Sequence, residues 1–164
     1  DILVLKRRNI FSHWINILFF SCITEATNGV SEIEGIGIIP SKIRPTTFDG
    51  KVHGIDEDIL KSTILEYKIQ FKFDEDLFRD FVLDIRFLND VVIKELDKPQ
   101  VIWTEDINHA WLEKRFHVKV NNTVQPFKTL DFTTYFKPED MAIIKEKFKE
   151  RFDNEFQFFG YEYK

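Results

Sequence analysis

The spacing of apolar residues changes once within the first twenty positions, and the change separates two elements. Ile2-Leu3-Val4-Leu5 is an unbroken apolar run, the pattern of a parallel strand covered on both faces and not of an alternating edge strand. Lys6-Arg7-Arg8 closes it. From Asn9 to about Phe20 the period becomes helical: Phe11, Trp14, Ile15, Leu18 and Phe19 share a face, and Asn9 is placed to cap the first turn. Residues 24–55 hold most of the glycines and two of the five prolines, Pro40 and Pro45, with no sustained period. They are predicted to be a long irregular excursion, a kind of loop that often carries function. Helical spacing returns over Asp56 to Ile69 and over Asp74 to Leu96. In the second stretch Leu77, Phe81, Ile85, Leu88 and Val92 fall on one face, and Asp74-Glu75-Asp76 suits the positive end of a helix. After Pro99, Val101-Ile102-Trp103-Thr104 reads as a second buried strand, followed by a helix through Trp111 to Phe116, with Val118-Lys119-Val120 a candidate third strand. Pro138 stands where a first helical residue belongs, and Met141, Ile144, Phe148 and Phe152 then repeat at helical spacing. The order strand, helix, helix, strand, helix predicts an α/β fold, a mostly parallel sheet flanked by helices. Ligands of such sheets lie at the carboxyl ends of the strands, here Arg7-Arg8-Asn9 and Thr104-Glu105-Asp106.

Composition narrows the classes. A chain of 164 residues is expected to form a single domain over 1–164, with core enough to need no metal or disulfide. Cys22, the only cysteine, excludes an intrachain disulfide framework and any Cys-x-x-Cys site. A net charge of -5 argues against wrapping nucleic acid, and leaves room for a local anion pocket. The 18 phenylalanines, with abundant Ile, Lys and Asn, read as an AT-rich coding bias. The basic start followed by Trp14 to Ile23 has the look of a signal peptide. The strand-like run ahead of it and the lack of a small-x-small cleavage site count against that, and the apolar run is shorter than the roughly 20 residues of a membrane span. No compartment is marked, and the cytoplasm is the expectation. Because the chain opens at Asp1, directly on a strand-like run, a segment upstream is expected to be missing.

Candidate chemistry is sparse. Arg8 beside the opening turn of the next helix has the makings of a phosphate site, a guanidinium fork next to free amides; the simpler reading is that Lys6, Arg7 and Arg8 solvate a strand end. Glu105 and Asp106 arrive at a helix start, where capping is the simpler role and catalysis the sharper one. His13, His53, His109 and His117 form no metal or triad spacing, and His53 alone borders the irregular excursion. The aromatic tail from Phe152 to Tyr163 could stack bases, but its interleaved Asp153, Glu155 and Glu162 favour core packing. Asn121-Asn122-Thr123 matches a glycosylation sequon too common to weigh. The phosphate-loop motif of nucleotide hydrolases and kinases does not occur.

Three segments, in order, resemble the sulfotransferase superfamily, which moves a sulfonate group from 3′-phosphoadenosine-5′-phosphosulfate to an acceptor; the likeness is greatest to its bacterial and viral carbohydrate or lipid members. Ile2 to Asn9 is similar to the family's strand ending in an arginine, and Val101 to Ile107 to its later aromatic-x-Glu-Asp-hydrophobic strand. Phe136 to Asp140, the helix that follows, Asp153, and Phe156 to Tyr161 resemble its C-terminal ending. Residues 24–95 stay nearly unassigned. The resemblance implies a P-loop-like α/β architecture of which this chain is the C-terminal part, because the family's phosphosulfate-cradling loop precedes the arginine strand and has no counterpart here. It implies Arg8 as ligand of the donor's 3′-phosphate and places Asn16 where the family has a partner serine; an amide still donates a hydrogen bond to phosphate. It implies 3′-phosphoadenosine-5′-phosphosulfate as co-substrate and a hydroxyl acceptor, a small molecule or glycan or a lipid, with no obligatory metal or redox cofactor. The catalytic base stays unassigned, and acceptor contacts are expected between Gly29 and Gly54. The alternative is a non-catalytic interaction module, or a degenerate nucleotide-binding relative, whose Phe-rich helices serve a partner.

Overall fold

The structure, a computed structural model, describes residues 2–27, 57–119, 131–158 and 161–162. Strand β1 (Leu3–Lys6) pairs in parallel with β2 (Gln100–Trp103), Leu3 opposite Gln100 and Lys6 opposite Trp103. The helices are α1 (Ile10–Ala26), α2 (Glu57–Tyr67), α3 (Glu75–Phe87), α4 (His109–Phe116) and α5 (Pro138–Phe158). α3 continues through a π-helical turn, Leu88–Val92, into a last turn, Ile93–Glu95. Short 3₁₀ turns lie at Thr104–Asp106 and Phe132–Tyr135.

The expected mostly parallel sheet flanked by helices is thus corrected: among the described residues the sheet has two strands, and helices dominate. Two local facts account for it. The strands are not covered on both faces, since Leu5 is 54% and Val101 38% exposed while Val4 and Ile102 are buried. After α4, His117 adopts a left-handed conformation (φ 54°), and the following Val118 and Lys119 join no strand. Val120 lies outside the described residues, as do the excursion from 28 to 56 with His53, the sequon, and Phe159-Gly160.

The helices follow their sequence signals closely. Asn9 caps α1 through Oδ1, which accepts from the Ser12 amide at 2.9 Å, and Phe11, Trp14, Ile15, Leu18 and Phe19 are all buried. α1 outruns its predicted end at Phe20 by six residues. Asp74 caps α3, its Oδ1 accepting from the Leu77 amide at 2.9 Å. The buried face of α3 is rotated from the predicted one: Phe78, Phe81, Val82 and Ile85 are buried, while Leu77 is only half-buried. Aromatic packing sets this orientation, with Trp14 lying 5.1 Å from Phe78 and 5.4 Å from Phe81 between ring centroids.

Contacts divide the chain into two compact units. The first comprises Asp1–Trp14, Asp74–Asn121 and Ile143–Lys164. Its core is an aromatic cluster in which Phe148 meets Phe11 edge-on at 5.1 Å and Phe152 at 4.7 Å, and Phe152 meets Phe81 at 5.8 Å. The second comprises Ile15–Phe73 and Asn122–Ala142. There Phe19 stacks on Phe71 at 4.7 Å and on Phe132 at 4.3 Å, and Phe136 packs on Phe71 at 5.6 Å. Such pairs add about 0.5–1.5 kcal/mol each beyond the area they bury. Whatever its origin in coding bias, the phenylalanine excess is used for packing.

Candidate functional site

The carboxyl ends of β1 and β2 gather charged and aromatic side chains, all belonging to the first unit. The register that sets Lys6 opposite Trp103 sends Arg8 and the Thr104–Asp106 turn out of the same end of the strand pair. The turn folds Glu105 back onto the junction between β1 and α1. Both of its carboxylate oxygens accept from the Arg8 amide at 3.0 Å, and Oε1 also accepts from the Asn9 amide at 3.3 Å. Burial works to raise the Glu105 carboxyl, but the amides of Arg8, Glu105 and Asn9 and the Thr104 hydroxyl outweigh it and hold the group below its ordinary value. The sequence had suggested that Glu105 and Asp106 cap the helix that follows them. Instead Asn108 caps α4, accepting from the Trp111 amide at 2.9 Å, and Glu105 accepts from the Arg8 and Asn9 amides just ahead of α1.

Arg8 stands where its guanidinium meets carboxylates. Its Nη2 donates to Asp106 Oδ2 at 2.6 Å, its Nε lies 3.9 Å from Glu162 Oε1, and its Cζ is 5.5 Å from the centre of the Trp103 ring. The hydrogen bond to Asp106 raises the Arg8 pKa above its ordinary value. Glu162 is held there by backbone, its amide donating to the Arg8 carbonyl at 2.7 Å beside a parallel bridge to Asn9.

Lys6 is the unexpected member. It is only 6% exposed, its Nζ donating to Asn89 Oδ1 at 2.8 Å and lying 4.3 Å from the Tyr161 ring centre and 5.0 Å from that of Trp103. The Tyr161 hydroxyl donates to the same Asn89 oxygen at 3.2 Å, while the buried Asn89 Nδ2 has no hydrogen-bond partner among the described residues. Burial lowers the Lys6 pKa to about 8. Asn89 comes from the π-helical turn, a feature that recurs at functional sites. His13, in the first turns of α1, packs edge-on against Phe81 at 5.6 Å. Its burial, and next the charge of Arg7, lower its pKa, with Glu105 opposing.

The structure therefore joins Arg8, Glu105 and Asp106, and adds Lys6, Asn89, Tyr161 and Glu162. Asn16, two helical turns beyond Asn9, is half-buried and belongs to the second unit, whereas Arg8 belongs to the first. Asn89 escaped sequence reasoning, although it left a signal: a polar residue one turn beyond Ile85 on the buried face of α3. His117 is an exposed C-cap of α4. Among the described residues no cluster of three or more His, Cys, Asp or Glu is arranged to hold a metal ion, and no helix is long and apolar enough to cross a membrane.

Chemically, this strand end offers a guanidinium, two amides and an indole face, donors of the kind a phosphate takes. In the structure the guanidinium and the two amides are engaged by Glu105 and Asp106, so a phosphate placed here would have to exchange one acceptor for another. The Arg8–Asp106 pair, with side chains 29% and 51% exposed, is of the solvent-screened kind that contributes little and gives way easily. No family model matches the chain, and neither a curated protein nor a solved structure matches it.

Proposed function

We propose that the chain is sulfotransferase-like. In this reading it binds 3′-phosphoadenosine-5′-phosphosulfate at the carboxyl ends of β1 and β2 and serves sulfonate transfer to a hydroxyl acceptor, a carbohydrate or a lipid. The observation that carries the reading is the parallel pairing of β1 with β2. It stands the two strand ends that resemble the family side by side, although Arg8 and Glu105 are 97 residues apart. The nucleotide supplies the sulfonate group. This chain's own residues bind and orient it: Arg8 takes the 3′-phosphate, and the amides of Arg8 and Asn9 supplement the guanidinium where Glu105 yields. Asn16 has its place by resemblance alone. Asp106 sets the threshold for binding, because the guanidinium must leave it to reach phosphate.

One observation favours a second reading, a degenerate relative or interaction module. Glu105 and Asp106 already satisfy the Arg8 guanidinium and the Arg8 and Asn9 amides from within, as a structural staple does. Calorimetric titration with 3′-phosphoadenosine-5′-phosphate, with adenosine-5′-phosphate as comparator, separates the two. The sulfotransferase-like reading expects a preference for the 3′-phosphorylated nucleotide. Arg8→Ala should then weaken its binding by about 10- to 100-fold, the worth of a charge-assisted hydrogen bond. Asp106→Asn should tighten it by releasing the guanidinium. Equal binding of both nucleotides, unchanged in a folded Arg8→Ala variant, would leave the second reading standing.

A further inference from the structure

Among the described residues of the first unit, exposed apolar side chains include Ile2 and the strand residues Leu5 and Val101, and two further groups stand on backgrounds of opposite charge. The first runs along α3 into the π-helical turn, where Leu83, Phe87 and Val91 recur every fourth residue and are 57%, 59% and 43% exposed. Between Glu75 and Glu95 acidic residues outnumber basic ones by six to three, and Asp80, Asp84 and Asp90 are exposed alongside the stripe. The ion pairs of this surface, Arg79 with Asp76 at 2.9 Å and with Asp80 at 3.7 Å, and Lys94 with Asp90 at 3.2 Å, are exposed and readily exchanged. The second surface is the end of α4. The left-handed His117 turns the chain there, and Phe116 and Val118 stand 52% and 51% exposed between the exposed Lys114 and Lys119. Large apolar side chains grouped on a charged background mark association surfaces more often than scattered single ones do.

We propose that these surfaces are the two halves of one interface between copies of this chain. The Leu83–Phe87–Val91 stripe of one copy receives Phe116 and Val118 of a second, whose Lys114 and Lys119 face Asp80 and Asp84 of the first. The occupant is argued from complementarity: both halves are apolar at the centre, the stripe lies in a segment with three more carboxylates than cations, the end of α4 carries Lys114, Arg115 and Lys119 against Glu113, and both are present on every molecule. In a chain of net charge -5, copies repel one another overall, so a basic patch is what lets a second copy approach an acidic stripe. The contact joins two different patches. It is therefore formed twice in a two-fold dimer, or else propagates head to tail. It does not depend on the nucleotide reading.

Sedimentation velocity on the full chain at about 10 to 300 µM covers the affinities of weak interfaces. The wild type is expected to associate, and Phe87→Asp and Phe116→Asp, both at exposed positions and checked for fold by circular dichroism, are each expected to lose association by about 10-fold or more. Mixed in equal amounts, the two variants should form a heterodimer, because one keeps the stripe and the other keeps Phe116. Should either variant unfold, Leu83→Ser and Val118→Ser provide the same two arms. A wild type that stays monomeric overturns the proposal. So does a Phe116→Asp variant that associates like wild type, which would mean that the stripe pairs with itself, or a mixture of the two variants that associates no more strongly than either variant alone.

Discussion

A lysine ammonium loses its hydration when a fold closes over it, and at Lys6 that loss is offset by groups from distant parts of the chain: the Asn89 carbonyl and the rings of Trp103 and Tyr161. Burial still outweighs these contacts and lowers the pKa from 10.5 to about 8, so the charge is disfavoured relative to the unfolded chain although the group remains an ammonium at neutral pH. Between those values the unfolded chain holds a proton that the folded chain lacks, so this group makes stability rise with pH over that window, and below it the fold carries a buried charge at a cost. Lys6→Met keeps the length of the side chain and removes the titration. We expect the stability of wild type relative to Lys6→Met, from urea denaturation, to increase between about pH 7.5 and pH 9.5. A flat or falling difference would mean that Lys6 is not held toward neutrality by burial. The sequence could not reveal this residue. Within Lys6-Arg7-Arg8 it looks like one of three solvated cations, and its acceptor lies 83 residues away.

Caps and periodicity, by contrast, are written locally, and the elements that rest on them were legible. Asn9 caps as its position suggests, Asp74, expected only to suit the positive end of its helix, caps it, and Met141, Ile144, Phe148 and Phe152 all point inward as their spacing requires. Asp74→Ala should destabilise the protein by about 1 kcal/mol through loss of the bond to the Leu77 amide, an effect read from the urea midpoint at unchanged slope. No change in midpoint would show that water serves that amide equally well. What the local pattern could not supply is the partner of each face. The rotation of the α3 face comes from Trp14 and its aromatic neighbours, and the acceptor for the Arg8 and Asn9 amides, Glu105, comes from the turn after the other strand. Nor could an apolar run say how many strands would lie beside it: Ile2 to Leu5 fits a central strand in sequence, yet Leu5 is exposed in the fold. The candidate site was legible only as two strand ends, Arg8 and Glu105-Asp106, and not as the ion pair they make.

At the scale of the molecule, the first unit is drawn from three separate stretches of chain, 1–14, 74–121 and 143–164. No contiguous segment carries it, so its sheet and aromatic core both depend on closing long loops, which slows folding and makes the end state dependent on contacts far apart in sequence. A fragment spanning residues 73–164 tests this directly. It keeps α3 with its Asp74 cap, β2, α4 and α5, but lacks β1, whose Ile2 carbonyl accepts from the Gln100 amide at 2.9 Å, and lacks Phe11, which packs on Phe148. The fragment should retain a helical circular dichroism signal, because caps and i, i+4 bonds are local. Its Gln100 amide should exchange freely with solvent while that of the intact chain is protected, and its urea transition should be broad. Protection of Gln100 in the fragment equal to that in the intact chain would show that β2 is held without β1, and the strand pairing that brings Arg8 beside Glu105 would lose its structural weight.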